Sequence, residues 1–190
     1  MKLQTITSGN ITVELYLDDS PENPRMNDTE TKFVMFHKLY KLPNETGIPN
    51  YSEFFNSWGE MQLDLQSKFK HVTSVYMLSH GSIHFSLTDF NDKWDSGQVG
   101  FIVSNNGTLD QFKMHAQIEL MEYGYYANGD CFGYTVNHSE IEDTESGWNF
   151  LGGDHHESGL VDCLSDTLEY SFNQSPETIQ EIIIKLIKLV

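Results

Sequence analysis

The chain has 190 residues, 38% hydrophobic and 13% aromatic, and sets 11 lysine and arginine side chains against 28 aspartates and glutamates, a formal charge of −17. That apolar content can build a core, which excludes a disordered acidic tail. Arg25 is the only arginine and the lysines are scattered, so there is no cationic row for phosphates or guanine edges, which argues against direct nucleic-acid binding.

In chain order, Ile11 to Leu17 alternates apolar and polar residues and predicts a half-buried strand. Pro21 and Pro24 make the following polar segment a loop. Lys32 to Tyr40 is aromatic and β-branched, a second strand ended by Pro43 and the turn residues 44–50. Between Tyr51 and Lys70, Phe54, Phe55, Trp58, Met61 and Leu65 recur at helical spacing, with Asn50 or Ser52 as cap and Gly59 as the place for a kink or a division into two shorter helices. Val72 to Ser79 and Ile83 to Thr88 flank His80-Gly81 as a hairpin, and Val99 to Val103 is a further strand. Thr108 and Gln111 form a capping box ahead of Leu109, Phe112, Ala116 and Leu120. Asp130 to Val136 and Gly147 to Leu151 read as a strand pair joined by a long acidic connection, 138–146. Val161, Leu164 and Leu168 mark a helix, and Ser175, Pro176 and Glu177 open a last one over about 176–190. The sum is one α+β domain over 1–190, a mainly antiparallel sheet with three or four helices.

Met1 to Thr5 lacks the apolar segment of a secretory leader. Ile179 to Val190, the most apolar stretch, is interrupted by lysines and is far shorter than the ~20 residues of a membrane helix. A cytoplasmic protein with no membrane partner is expected, with Cys131 and Cys163 as packed, reduced thiols.

Residues with catalytic potential are few. His80 and His84 are four apart, but across a strand turn rather than on a helix, which weakens a zinc reading. Asp154-His155-His156-Glu157 is compact, yet in a loop before a helix Asp154 serves as a cap and the two histidines as exposed loop residues. No Gly-x-Ser-x-Gly elbow or phosphate loop is present, so neither a metal nor another cofactor is expected. The remaining global feature is charge: a carboxylate-rich surface is soluble, and it can also occupy a basic groove meant for nucleic acid.

The strings Tyr76-Met77-Leu78-Ser79-His80-Gly81-Ser82 and Trp94-Asp95-Ser96-Gly97-Gln98-Val99-Gly100-Phe101-Ile102 resemble a family of small proteins encoded mainly by bacteriophages and plasmids, whose members carry a His-Ser-Gly segment and then a Trp-Asp-Ser-Gly-Gln-Val/Leu-Gly-Phe/Tyr-Ile segment. Asn23-Pro24-Arg25, Asp28, Phe36-His37, Asn128-Gly129-Asp130-Cys131-Phe132-Gly133-Tyr134 and Gly147-Trp148-Asn149-Phe150 extend the resemblance over most of residues 11–153. The order Gly81-Ser82 is swapped, Asn149 replaces a glycine and Met26-Asn27 precedes Asp28. The resemblance implies an accessory protein that binds a host protein, in the manner of anti-restriction, anti-CRISPR and host-takeover factors, with an acidic nucleic-acid mimic as its sharper form. The motif residues are structural corners on one reading; on the other, His80, Trp94, Asp95, Ser96, Gln98, Asp130 and Trp148 meet on one side of the sheet as a binding surface. The rivals are a small metal-dependent hydrolase or nucleotide-binding protein using His80, Asp95, Asp130 and His155 or His156, and a virion component.

Overall fold

The computed structural model describes residues 1–187, apart from the side chains of 141–143. Among the described residues, four α-helices and eight strands, all paired antiparallel, give the α+β class expected from the sequence. The strands form two four-stranded sheets. By its contacts the chain divides into two compact units, Met1–Glu22 with Tyr125–Val190, and Asn23–Gly124.

In the first unit, β1 (Lys2–Ser8), β2 (Ile11–Leu17), β7 (Cys131–His138) and β8 (Ile141–Leu151) lie in the order β1-β2-β7-β8. Alternation sends Ile11, Val13, Leu15, Tyr134 and Val136 to one face. There they pack with Leu160 and Leu164 of α3 (Leu160–Asp166) and Ile182 and Leu186 of α4 (Pro176–Ile187). The Ser175 hydroxyl accepts the Thr178 amide at 3.3 Å and Pro176 takes the first helical position, as expected. The extension of this helix to 188–190 lies outside the described residues.

β1 carries one buried residue, Ile6, and so has no apolar signature in the sequence. The acidic connection is mostly strand, with Thr135 opposite Ser146 and Val136 opposite Glu145. β8 is an edge strand whose ladder needs only backbone groups, so charged side chains are tolerated on it. After Asp166 the expected helix continues as a π-turn over Thr167–Ser171, which keeps Leu168 buried. Cys163 is exposed rather than packed, whereas Cys131 is buried, and both are free thiols.

In the second unit, β3 (Lys32–Met35), β4 (His71–His80), β5 (Ser82–Ser86) and β6 (Ser96–Ser104) lie in the order β3-β6-β4-β5. Helix α1 (Trp58–Lys68) covers one face, with Met61 and Leu65 against Val34, Phe101 and Val103. On the other, Tyr123 of α2 (Leu109–Asn128) meets Phe33 and Phe85, and Phe112 stacks on His71. The capping box forms: the Gln111 side chain accepts the Thr108 amide at 2.9 Å, and the Thr108 hydroxyl accepts the Gln111 amide at 3.3 Å. The expected strand to Tyr40 ends at Met35. The long helix divides into a 3-10 turn, Tyr51–Phe54, and α1, whose cap is Ser57 rather than Asn50 or Ser52. Gly59 thus falls in the first turn of α1, after the division between the two helical segments. Among the described residues no helix is long and apolar enough to cross a membrane.

Candidate functional site

Cross-strand partners share a face of a sheet. His80 lies opposite Ser82, Leu78 opposite both His84 and Ser96, and Tyr76 opposite both Ser86 and Gln98. These residues continue the face that α1 covers over Phe101 and Val103, but here the face turns polar and every member is half-buried or exposed. Strand register therefore brings His80, Ser96 and Gln98 to one side of a sheet. The Gln98 amide reaches the Ser74 hydroxyl and the Gly100 carbonyl, each at 3.3 Å.

The turn before β6 explains most of the Trp-Asp-Ser-Gly-Gln string. The Asp92 carboxylate accepts the Trp94 amide at 2.8 Å and the Asp95 amide at 2.9 Å, and the Ser96 hydroxyl donates back to the Asp92 carbonyl at 2.6 Å. The Asp95 amide first, and then the Trp94 amide, hold the Asp92 carboxyl below its ordinary pKa. The Asp95 carbonyl accepts the Ser79 amide at 2.9 Å, and its carboxylate meets His80 Nδ1 at 2.8 Å. Ser79 also bonds the Tyr40 hydroxyl at 2.8 Å, which ties in the 37–40 loop, where Leu39 is 85% exposed. Further along, a Cβ at Gly100 would lie 2.1 Å from the Val34 carbonyl oxygen, so only glycine lets β3 approach there. One side chain of the string takes no part in the fold: Trp94 is 94% exposed.

Asp130 and Trp148 belong to the unit built on the other sheet. Trp148 lies over Gly133, whose Cβ would fall 2.2 Å from the indole, and its ring is tilted against Tyr16 at 5.4 Å. The Gly-Asp-Cys-Phe-Gly and Gly-Trp-Asn-Phe strings are thus two halves of one packing lock. The Asp130 amide and carbonyl bond Tyr125 and Gly152.

The Asp154 to Glu157 group is a turn. Asp154 accepts the His156 and Glu157 amides, each at 2.8 Å. His155 is not exposed, as expected from the sequence, but buried edge-on against Phe132, and its Nδ1 has no hydrogen-bond partner. Burial pushes its pKa below the ordinary 6.5, against the pull of Asp154. Among the described residues, no group of three or more His, Cys, Asp or Glu side chains is placed to hold a metal.

Sequence reasoning missed the hub at Arg25. Its guanidinium, 4% exposed, grips Glu45 through two bonds of 2.8 Å and Glu119 through one of 2.6 Å, donates to the Thr31 carbonyl at 2.8 Å, and lies 3.8 Å from the Phe33 ring centre. Burial works against its charge, but Glu45 and Glu119 outweigh burial and raise its pKa. The signal in the sequence was a lone arginine in a strongly acidic chain, a residue suited to satisfying buried carboxylates.

Comparison with protein-family models, with curated proteins and with solved structures yields no match.

Proposed function

We propose that this protein acts by binding, as a phage or plasmid accessory factor that engages a host protein with a basic surface. Trp94 is the anchor, and the His80, Ser96 and Gln98 face lies beside it. The observation that carries the reading is the 94% exposure of Trp94 on a turn pinned by Asp92, Asp95, Ser96 and Ser79. A large aromatic side chain in water has little to gain unless a partner buries it, and tryptophan is enriched among the few residues that dominate interfaces. A hydrogen-bonded turn presents it with little ordering cost on binding. The charge of −17 supplies the complement to a basic partner, including one that normally holds nucleic acid. The phage or plasmid setting rests on the motif resemblance.

The test is recovery of host proteins on the tagged chain from lysate at low and high salt, with Trp94→Ala beside the parent. A basic partner held at low salt, released at high salt and lost with Trp94→Ala supports the reading. A partner retained by Trp94→Ala, or binding indifferent to salt, overturns it. The His80–Asp95 pair supports a second reading, a hydrolase with an oriented imidazole. Loss of a measured hydrolytic activity on His80→Ala would favour it.

A further inference from the structure

Helix α2 is apolar on two opposite faces. Phe112, Ala116, Leu120 and Tyr123 are buried, while Met114, Ile118 and Met121, on the other side, are 52%, 44% and 47% exposed. The exposed three are spaced by four and then three residues, the a/d repeat of a two-helix seam rather than the broader stripe of a helix lying on a core. Methionines suit such a surface because they adapt to whatever packs on them.

The residues beside the seam identify the occupant. His115 and Glu122 each follow a seam methionine by one position and so lie on the same flank, two turns apart. Residues on one flank face the same flank of an antiparallel partner. A two-fold axis near Ile118 therefore brings His115 of one chain to Glu122 of the other, twice, while Met121 meets the partner's Ile118. The carboxyl of Glu122 is raised by burial and by its neighbour Glu119, so a donor arriving from outside the chain relieves it. An unrelated helix would not be obliged to match this pattern, whereas a copy of α2 matches it by symmetry.

We infer that the exposed face of α2 is a self-association surface, on which a second copy of this chain docks antiparallel through Met114, Ile118 and Met121. It is separate from the Trp94 turn. Because each copy carries −17, added salt strengthens this pairing, the opposite of its effect on a basic partner.

Sedimentation of the full chain across a concentration series, at low and high salt, is the test. A monomer–dimer equilibrium shifted toward dimer by salt and abolished by Ile118→Glu is expected, with the circular dichroism of the variant unchanged. A chain that stays monomeric throughout, or a dimer that survives Ile118→Glu, overturns the inference. Orientation is read in a Cys163→Ser background: Met114→Cys chains cross-link to Met121→Cys chains in mixtures when the pairing is antiparallel. Cross-linking of each variant only to itself would instead show a parallel pair and overturn the two-fold arrangement. Trp94→Ala should leave the dimer intact, so failure of the binding surface and failure of this one are distinguishable.

Discussion

Trp94 and Trp148 stand in comparable motif strings close to glycines, the first just before β6 and the second within β8, yet their surroundings differ. Trp148 fills the space left by the missing side chain of Gly133 and leans on Tyr16, so its string is explained by packing. Around Trp94, the residues Asp92, Asp95 and Ser96 are all engaged in hydrogen bonds that shape the turn, while the indole stands in water. A motif whose largest side chain is packed against the fold along one side, as Trp148 is at 47% exposure, is a corner. One whose corner is built from the small polar residues, leaving the large side chain in water, is a presentation device.

The largest test of that contrast concerns the frame behind Trp94's sheet. Arg25→Met leaves Glu45 and Glu119 facing each other without a cation, and should cost about 3–5 kcal/mol. Urea unfolding followed by circular dichroism measures it, and Arg25→Lys should not restore the loss, because an ammonium cannot reproduce the forked contacts. A loss below about 1 kcal/mol, the range of an exposed pair, would remove Arg25 from its role as organiser.

Next comes the lock itself. Gly133→Ala should cost about 1–3 kcal/mol through overpacking against the indole. Pairing it with Trp148→Ala should cost less than the two changes added together. Additive costs would mean that Trp148 does not rest on Gly133, and the contrast with Trp94 would collapse.

A smaller effect belongs to the turn near the lock. The folded-state pKa of His155 is depressed, so the unfolded chain takes up its proton first. Stability contributed by the neutral ring is therefore present above the ordinary value of 6.5 and is lost as pH falls below it, down to the depressed folded-state pKa. Thermal melts across this range should show the decline, and His155→Phe should flatten it. Because Nδ1 has no partner to lose, the phenylalanine should be tolerated. An unchanged pH profile in that variant would refute the assignment.

The smallest stability effect is expected where the binding effect is greatest. Trp94→Ala should move the unfolding free energy by no more than about 0.5 kcal/mol, as exposed substitutions do. A destabilisation of about 2 kcal/mol would instead make Trp94 structural, like Trp148.

Most of the architecture was legible because burial imposes periodicity. β2, the β4–β5 hairpin, the capped α2 and α4 all carry apolar residues at the spacing that their geometry requires. β1 and the outer part of β8 were illegible for the converse reason: an edge strand is held by backbone bonds, and its side chains are free to be polar. Within the candidate site, the sharing of one face by His80, Ser96 and Gln98 followed from strand register. The burial of His155 did not, since a loop histidine reveals its packing partner, Phe132, only once the chain has folded back. Arg25 was visible as the lone arginine, but its partners lie 20 and 94 residues away along the chain.

The sealing of that arginine also gives the molecule a built-in fuse for proteolysis. An arginine-specific protease has one bond to cut in the whole chain, between Arg25 and the exposed Met26. The specificity-determining side chain is locked between two carboxylates and an aromatic ring. Cleavage can proceed only when the guanidinium has left Glu45 and Glu119, so the rate of a single cut counts the openings of this hub in the otherwise folded protein.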